Sequence, residues 1–484
     1  MKSTPSLAVS AGDLRPALTA LGKVRKRGKA VPEELQHLQV ETVGRSSLRL
    51  TATDGETFLS LTLPTISPEK REPFLVRFDR LQSSLRGARV DEAIALRPVK
   101  TPPASLYPQC PIVRSKPIEL GPAAVEAFHH AFGSTSQDPS RYVLQGVHLD
   151  PKGKGGTRFI GTDGRHLFQS HLFPVKGLKE SIILPAVAAL ASPALKKADT
   201  WKLRLSQGRK CASPIFQIQG ANWCLTGKLI EGNYPTYQQV IPPDSGFKAR
   251  VTIPVDLGNE LIRVLPGLPG RKLSNHPVAL RLAESSVSVL ARPTDSAPCE
   301  ELILSSAQKT GENHTVFVNR DYLSHALRCG MTKIEIIDEN TPMKCTGDSG
   351  ILIIMPVRSL GEVKVGHSRS FGPGRTEKIS EIKRESLRSK LRPRREKLRA
   401  KPESPRFKKR TPTPILMKKP SPDQKTAENP DEKIAEIKSA LKVAASGLAE
   451  LTACLRASRQ HQRQTEKEVR SVKKTLRSLR QVEL

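Results

Sequence analysis

The chain has 484 residues, with 79 Lys and Arg against 47 Asp and Glu, so its formal charge is +32 and its pI is near 10.1. A balance this basic is unusual for a metabolic enzyme and favours a polyanionic partner. With 37% hydrophobic residues the chain can bury a sizeable core. At about 100 to 200 residues per domain, its length predicts about three domains.

Nothing in the sequence indicates a membrane-spanning or secreted protein. The longest apolar stretches, 181–191 and 351–357, are shorter than the roughly 18 residues of a membrane helix. Residues 1–14 contain one Lys and no apolar segment of the kind found in a secretory signal. We therefore expect a cytoplasmic protein.

The cysteines do not form a recognisable metal site or disulfide framework. They show neither CxxC pairs nor a Cys/His zinc spacing. Their positions are 110, 211, 224, 299, 329, 345 and 454. We expect reduced thiols, no bound metal and no cofactor.

An internal repeat runs through the first 360 residues. In each copy two segments of alternating apolar and polar residues flank a turn rich in Asp and Gly, which is typical of a β-hairpin. The three turns are Thr53-Asp54-Gly55, Thr162-Asp163-Gly164 and Thr294-Asp295. Amphipathic segments precede and follow each hairpin and predict six helices, at 13–24, 79–87, 122–132, 185–197, 254–265 and 319–329. This order predicts three copies of one α+β unit, each built from two similar halves.

The composition changes after residue 360. Residues 361–484 hold 33 Lys and Arg and 15 Asp and Glu. Up to Pro430 they are rich in Lys, Arg, Pro and Ser without apolar periodicity, which predicts a basic disordered linker over 361–430. From 431 to 484 two apolar series follow a seven-residue spacing, interrupted at Ser458, Gln462 and Thr465, and predict a coiled coil or a long amphipathic helix. The series are Ile434, Leu441, Leu448, Leu455, Val469 and Leu476, and Ile437, Ala444, Leu451, Val472 and Leu479. A lone helix that packs on the rest of the chain is the alternative.

The sequence offers no catalytic constellation. Asp54, Asp163 and Asp295 lie in separate hairpin turns, where an Asp side chain bonds nearby backbone groups. His129 and His130 are adjacent and do not have the i, i+4 spacing of a helical zinc site. We find no phosphate-binding GxxxxGK[ST] loop and no GxSxG motif. We therefore expect a protein that is not an enzyme.

Several motifs resemble one protein family, the bacterial DNA polymerase III β sliding clamps. They are Thr162-Asp163-Gly164-Arg165-His166-Leu167, KLIEGNYPTYQQVIP at 228–242, FVNRDYL at 317–323 and IIMPVR at 353–358. The resemblance covers roughly residues 7–360. It implies the DNA clamp fold, an α+β fold with three similar domains, here 1–117, 118–245 and 246–360. It also implies a ring of two chains joined head to tail.

The resemblance implies a function without catalysis. A clamp of this family encircles double-stranded DNA in the bacterial cytoplasm, at the nucleoid. It tethers the catalytic subunit of DNA polymerase III and other proteins that carry clamp-binding motifs, and a clamp loader places it on DNA. Phosphate contacts carry no sequence information, which suits a sliding protein. The residues expected to face DNA are Lys23, Arg25, Lys26, Arg27, Lys29, Lys196 and Lys197.

The second implied site is a hydrophobic groove for short peptides. The residues carried over from the family motifs are Leu144, Thr162, Gly164, Arg165, His166, Leu167, Pro235, Gln239, Val240, Asn319, Tyr322, Ile353, Met355, Pro356, Val357 and Arg358. Apolar side chains and a deformable Met suit anchor pockets, while the polar groups would fix peptide direction. Two features depart from the family pattern. Gln239 stands where many members of the family have Arg. The order Arg165-His166 is the reverse of the His-Arg that is common in the family.

The residues after Arg358 depart most from the family. One hypothesis is that the basic linker tethers nucleic acid while the last helix recruits a partner or a second copy. A second hypothesis is that the tail folds back and competes for its own groove. This hypothesis is the weaker one, because the tail contains no Gln-x-x-Leu-Phe-like peptide. The alternative to a sliding clamp is a clamp-derived interaction protein that binds nucleic acid mainly through this tail and coiled coil.

Overall fold

The computed structural model of the chain describes residues 7–26, 28, 31–66, 71–152, 155–196, 200–206, 213–358 and 363–372. The predicted linker beyond residue 372 and the predicted helix at 431–484 lie outside these residues. Within them, no helix is both long enough and apolar enough to cross a bilayer.

The described residues of the first domain form six strands and two α-helices. They are β1 (Leu7–Ser10), α1 (Ala11–Leu21), β2 (His37–Val43), β3 (Ser47–Thr53), β4 (Phe58–Pro64), β5 (Phe74–Arg77), α2 (Phe78–Ser84) and β6 (Ala93–Leu96). Leu14, Leu18 and Leu21 recur at helical spacing on α1 and are buried.

The second domain follows the same order with more strands. Its elements are β7 (Ile118–Leu120), α3 (Pro122–Gly133), β8 (Gly146–Pro151), β9 (Thr157–Thr162), β10 (His166–Ser170), β11 (Ile182–Pro185), α4 (Pro193–Lys196), β12 (Trp201–Ser206), β13 (Ile215–Gln219) and β14 (Trp223–Lys228). The helix predicted over 185–197 is wrong for most of its length. Residues Ala188–Ala191 form a 3-10 turn, and α4 begins only at Pro193, because proline suits the first turn of a helix and disrupts its interior.

The third domain completes the repeat. Its elements are β15 (Ala249–Thr252), α5 (Val255–Val264), β16 (Pro277–Leu282), β17 (Val287–Ala291), β18 (Cys299–Leu304), β19 (Gln308–Gly311), β20 (His314–Asn319), α6 (Arg320–Arg328), β21 (Met331–Ile336), β22 (Met343–Gly347) and β23 (Gly350–Ile354). One further strand, β24 (Val365–Phe371), follows. The linker predicted from residue 361 is therefore wrong at this point, because the edge of β18 supplies backbone partners for β24.

The first two predicted hairpins close with the same hydrogen bonds. Asp54 Oδ1 accepts from the N–H groups of Glu56 and Thr57 at 3.0 and 2.7 Å. Asp163 Oδ1 accepts from those of Arg165 and His166 at 2.8 and 2.9 Å. The following glycines have φ of +97° and +85°, a conformation that favours glycine. The Thr-Asp-Gly signature thus has a structural role, as the sequence predicts.

Strands pair across the domain boundaries. One sheet has the order β5-β2-β3-β4-β14-β13-β12-β7, and a second has the order β11-β8-β9-β10-β23-β22-β21-β15-β19. In the first sheet β4 pairs antiparallel with β14 of the second domain. In the second sheet β10 pairs antiparallel with β23 of the third domain. Each junction between domains is therefore a ladder of backbone hydrogen bonds.

The first domain departs from the repeat in its second half. Its β6 pairs only with β1, and residues 97–117, all of them described, contain no strand. Instead this segment lies against the first sheet. Tyr107 is 2% exposed and its hydroxyl donates to the Thr51 carbonyl oxygen at 2.9 Å. The segment thus covers a sheet face in place of extending a sheet.

The helices at the junction of the second and third domains meet at a half-buried histidine. His325 of α6 places Nε2 3.2 Å from the carbonyl oxygen of His130 and 3.1 Å from Ser134 Oγ. A Cβ on Gly133 would lie 2.3 Å from His325 Cε1, so the close approach of the two elements requires glycine. Burial, followed by the neighbouring His166 and Arg328, lowers the pKa of His325 to about 3.

We expect this half-buried histidine to make the fold sensitive to acid. An unfolded His titrates near a pKa of about 6.5, so below that pH the unfolded chain binds a proton that the folded chain does not. The free energy of unfolding should therefore fall as the pH drops from about 6.5 towards 3, by up to about 1.4 kcal/mol per pH unit from this residue. Urea unfolding at several pH values, with wild type and His325→Gln, measures this slope.

His171→Gln is the matched control, because His171 is exposed. The His325→Gln chain should lose stability at neutral pH, since its contacts to His130 and Ser134 are altered, but its pH slope should be shallower than wild type. Equal slopes in all three proteins would contradict the assignment.

Candidate functional site

A hydrophobic patch lies where the second and third domains share a sheet. Leu167 of β10 pairs directly with Ile353 of β23. Together with Ile160 and Tyr237 they form a buried cluster separate from the main core, and Tyr234, Ile241 and Ile351 pack against it. We call these seven residues the junction patch. Leu167 and Ile353, both predicted from the motifs, are thus brought together by strand pairing.

Exposed apolar residues follow directly from the patch along the chain. Met355, 41% exposed, comes just after β23, and its N–H donates to the Arg165 carbonyl oxygen at 2.9 Å. Val240, 45% exposed, ends the 3-10 turn Tyr237–Val240 that carries Tyr237. Pro235 and Gln239 are also exposed. These side chains extend the patch with surface that a ligand can cover.

The turn between β9 and β10 borders the patch and is rigid. Thr162 Oγ1 donates to the His166 carbonyl oxygen at 2.7 Å and accepts from Gly164 N–H at 3.0 Å. Arg141 donates from Nη1 to the Asp163 carbonyl oxygen at 2.7 Å. The exposed Arg165 donates to Asn275 Oδ1 of the third domain at 2.5 Å. The turn thereby holds Arg165 and His166 in fixed positions.

Asp163 links this turn to helix α6. Tyr322 donates its hydroxyl to Asp163 Oδ2 at 2.7 Å, and its ring stacks on His166 with centroids 4.1 Å apart. Burial opposes ionisation of Asp163, but hydrogen bonds and charge from His166 and backbone hydrogen bonds outweigh burial and lower its pKa. Burial and the adjacent carboxylate raise the pKa of Tyr322. A carboxylate with so many donors serves to position the turn.

Two residues carried over to the groove make structural contacts of their own. The Asn319 side chain caps α6, accepting from Asp321 N–H at 2.8 Å. Val357 packs against a different cluster, composed of Ala279, Leu290, Cys299 and Phe317. Asn319 Oδ1 is thus bonded within the helix cap and Val357 packs on the third domain, and the lining of a groove by these two residues stays a prediction.

The remaining predicted groove residues flank these elements. Leu144 lies half-buried in the 3-10 segment Pro139–Gln145. Pro356 is half-buried and Arg358 is exposed.

Sequence reasoning missed the aromatic residues of the patch. Tyr237 is buried, and its hydroxyl donates to Asp150 Oδ2 at 2.7 Å. Burial and that carboxylate raise its pKa to about 12. Tyr234 stacks on His148 with centroids 4.5 Å apart. Both tyrosines lie inside the 228–242 motif. A side chain with an apolar ring and a polar tip is suited to a partly buried binding surface, and this property could have indicated them from the sequence.

The predicted DNA-facing residues have different environments. Lys23 and Lys26 are exposed. Arg25 donates to Asp79 Oδ1 at 3.0 Å, its side chain is 9% exposed, and it lies over the Phe78 ring at 4.4 Å. Contrary to the expectation, Arg25 is thus engaged within the first domain and unavailable for a phosphate. Lys196 ends α4, but its side chain, like Arg27, Lys29 and Lys197, lies outside the described residues.

Comparisons with known proteins identify similar proteins of one kind, the bacterial β sliding clamps. No family model matches the sequence. The β sliding clamp of Haemophilus influenzae is 26% identical over 237 residues, which is 47% of this chain and 61% of that protein. The chain therefore spans less than two thirds of this curated relative.

Solved structures share the fold over a longer range. The β subunit of the DNA polymerase of Streptococcus pyogenes superposes with a TM-score of 0.59 at 18% identity, covering 73% of this chain and 100% of that one. The Helicobacter pylori β clamp bound to a DNA ligase peptide gives a TM-score of 0.58 at 20% identity, with the same coverage. In sequence and in fold, the chain is thus related to the bacterial β sliding clamps.

Proposed function

We propose that the chain is a sliding clamp, which encircles duplex DNA and tethers the replicative DNA polymerase and other clamp-binding proteins. It acts as a non-catalytic processivity subunit in the cytoplasm, at the nucleoid. A clamp loader would place it on DNA, and two chains would form the ring. The observation that carries this proposal is the junction patch, an apolar cluster at a strand junction of a β-clamp fold, with the exposed Met355 and Val240 next to it in the sequence.

The chemistry of the junction patch suits a short peptide with apolar anchors. Leu167, Ile353 and Tyr237 form a floor of packed side chains, and Met355 and Val240 are the exposed apolar residues nearest to them in sequence. Arg165 and Gln239 supply polar groups at the surface. A mainly apolar site with a few fixed polar groups binds through its anchors and orients its ligand through the polar contacts. The Helicobacter pylori relative is bound to a DNA ligase peptide, which is consistent with this class of ligand.

DNA binding would depend on charge outside the regular helices. The exposed charges of α1, α2 and α5 are mixed in sign, comprising Asp13, Arg15, Asp79, Arg80, Asp256 and Arg263. Lys23 and Lys26 follow α1 and are exposed. Because residues 361–484 carry 33 basic and 15 acidic residues, they supply more of the net charge than the rest of the chain, and so most of the expected phosphate attraction.

A second candidate is a clamp-derived interaction protein that binds nucleic acid mainly through its tail and coiled coil. Two observations favour it. The second half of the first domain has a single strand, β6, and the edge of β18 is already paired with β24. Both features reduce the strand edges to which a second chain can add.

Substitution of the exposed apolar residues next to the junction patch should weaken peptide binding. Met355→Asp or Val240→Asp places a charge on exposed apolar surface, so we expect the Kd for a fluorescein-labelled Gln-x-x-Leu-Phe peptide to rise at least about tenfold, which corresponds to about 1.4 kcal/mol. Fluorescence anisotropy with the full chain measures this.

Ile112→Asp is the matched control, because Ile112 is an exposed apolar residue, 77% exposed, in the segment on the first sheet. It should bind the peptide as wild type does. If the control loses as much affinity as the Met355 and Val240 variants, or if those variants bind normally, the peptide site lies elsewhere.

Removal of the tail should lower both DNA affinity and its salt dependence. Residues 373–484 contain 31 Lys and Arg and 14 Asp and Glu. Each phosphate that the shortened chain no longer neutralises should reduce the slope of log K against log salt by about 0.9. We expect the chain ending at Gly372 to show a slope smaller by several such steps. Binding to labelled duplex DNA at a series of salt concentrations measures it.

The charge control is a full-length chain whose Lys and Arg after residue 372 are replaced by Gln. It should behave like the shortened chain if charge is the cause. An unchanged salt slope in both proteins would assign DNA binding to residues 1–372.

A further inference from the structure

In the first two domains, the internal repeat places one strand of the first half at the junction with another domain. The first half of each domain has the same strand order, β5-β2-β3-β4, β11-β8-β9-β10 and β20-β16-β17-β18. The last strand of the first two groups pairs antiparallel with the last strand of another domain's second half, β4 with β14 and β10 with β23. By the same rule β18 would pair with a strand of a first domain, which only a second copy of the chain can supply.

In this chain the edge of β18 is already paired with a strand of the same chain. Strand β24 pairs with it in parallel, from Cys299 opposite Val365 to Leu304 opposite Phe371. The ladder is closed at both ends. Cys299 N–H donates to the Lys364 carbonyl oxygen at 2.7 Å, and Ser305 N–H donates to that of Phe371 at 2.9 Å. The other two junctions are antiparallel, so β24 covers the position without reproducing their geometry.

Side-chain contacts also hold β24 against the edge of β18. The buried Glu301 accepts from Ser288 Oγ and from Ser368 Oγ, both at 2.7 Å. Gly366 permits the close approach, because a Cβ there would lie 2.9 Å from Pro298 Cβ. Phe371 packs against the main core. Otherwise β24 is largely exposed, as expected for a strand held mainly by one edge.

We propose that β24 is an intramolecular cap on the ring-closing edge, occupying β18 in place of a second copy of the chain. The capped chain is monomeric, and a second copy adds to β18 only after β24 has left. This inference rests on the proposed ring, and it adds a condition for ring closure that the chain's own residues control.

The test compares the oligomeric state of full-length wild type and Ser368→Asp. The substitution sets a second carboxylate against Glu301, which should detach β24 and leave the rest of the sheet in place. Analytical ultracentrifugation over a concentration series should find wild type monomeric. It should find Ser368→Asp forming dimers at concentrations at least about tenfold lower than wild type requires.

Ser370→Asp is the matched control. It adds the same charge to the same strand but lies opposite Ile303, so it should remain monomeric like wild type. Gly366→Val, which forces a contact with Pro298, is a second releasing variant that adds no charge. It should dimerise as Ser368→Asp does.

Hydrogen exchange of the amides of residues 299–304 shows whether β24 has left β18, independently of whether two chains associate. Under conditions where the chains are monomeric, these amides should exchange faster in both releasing variants than in wild type. If wild type dimerises at the same concentrations as the releasing variants, or if chains with exposed β18 amides stay monomeric, the cap does not control association and the proposal is overturned. Peptide binding at the junction patch should be equal in all these chains, and its absence from all of them would count against the proposed function instead.

Discussion

A strand at the end of a sheet leaves a row of backbone N–H and C=O groups that must be paired or solvated, and the organisation of this chain follows from how each row is paired. The edge of β4 pairs with β14 and the edge of β10 pairs with β23, so two continuous sheets cross the boundaries between the three domains. The edge of β18 receives β24. The same requirement thus connects the domains and determines whether a second chain can join.

The position of the junction patch is a direct consequence of this pairing. Leu167 and Ile353 belong to different domains and meet only because β10 and β23 are neighbours in register. Tyr322 and Asp163 also come from different domains, and their hydrogen bond fixes the turn beside the patch to α6. A peptide bound there would contact both domains at once. The proposed site would consequently exist only while the junction is intact, so peptide binding there would require a folded second and third domain.

Local signals in the sequence predicted much of this architecture. Alternation of apolar residues and the Thr-Asp-Gly turns located the hairpins, since an Asp side chain and a glycine at positive φ determine such turns locally. Non-local features were not accessible in this way. Arg25 is withdrawn by Asp79, which follows it by 54 residues, and Asn319 is used as a helix cap. The polar segment VGHSRSF becomes a strand only because the edge of β18 is available.

The cap and the basic tail share one backbone, which couples their states. Strand β24 ends at Phe371, and residues 373–484 carry 31 of the 79 basic residues. A polyanion that binds these residues equally well in the capped and released chain leaves the cap unchanged, however tightly it binds. One that binds the released chain better must favour release, and release must strengthen its binding by the same factor. In the proposed ring, DNA that engages the tail and the ring together would belong to the second class, because only a chain freed of β24 could close around it.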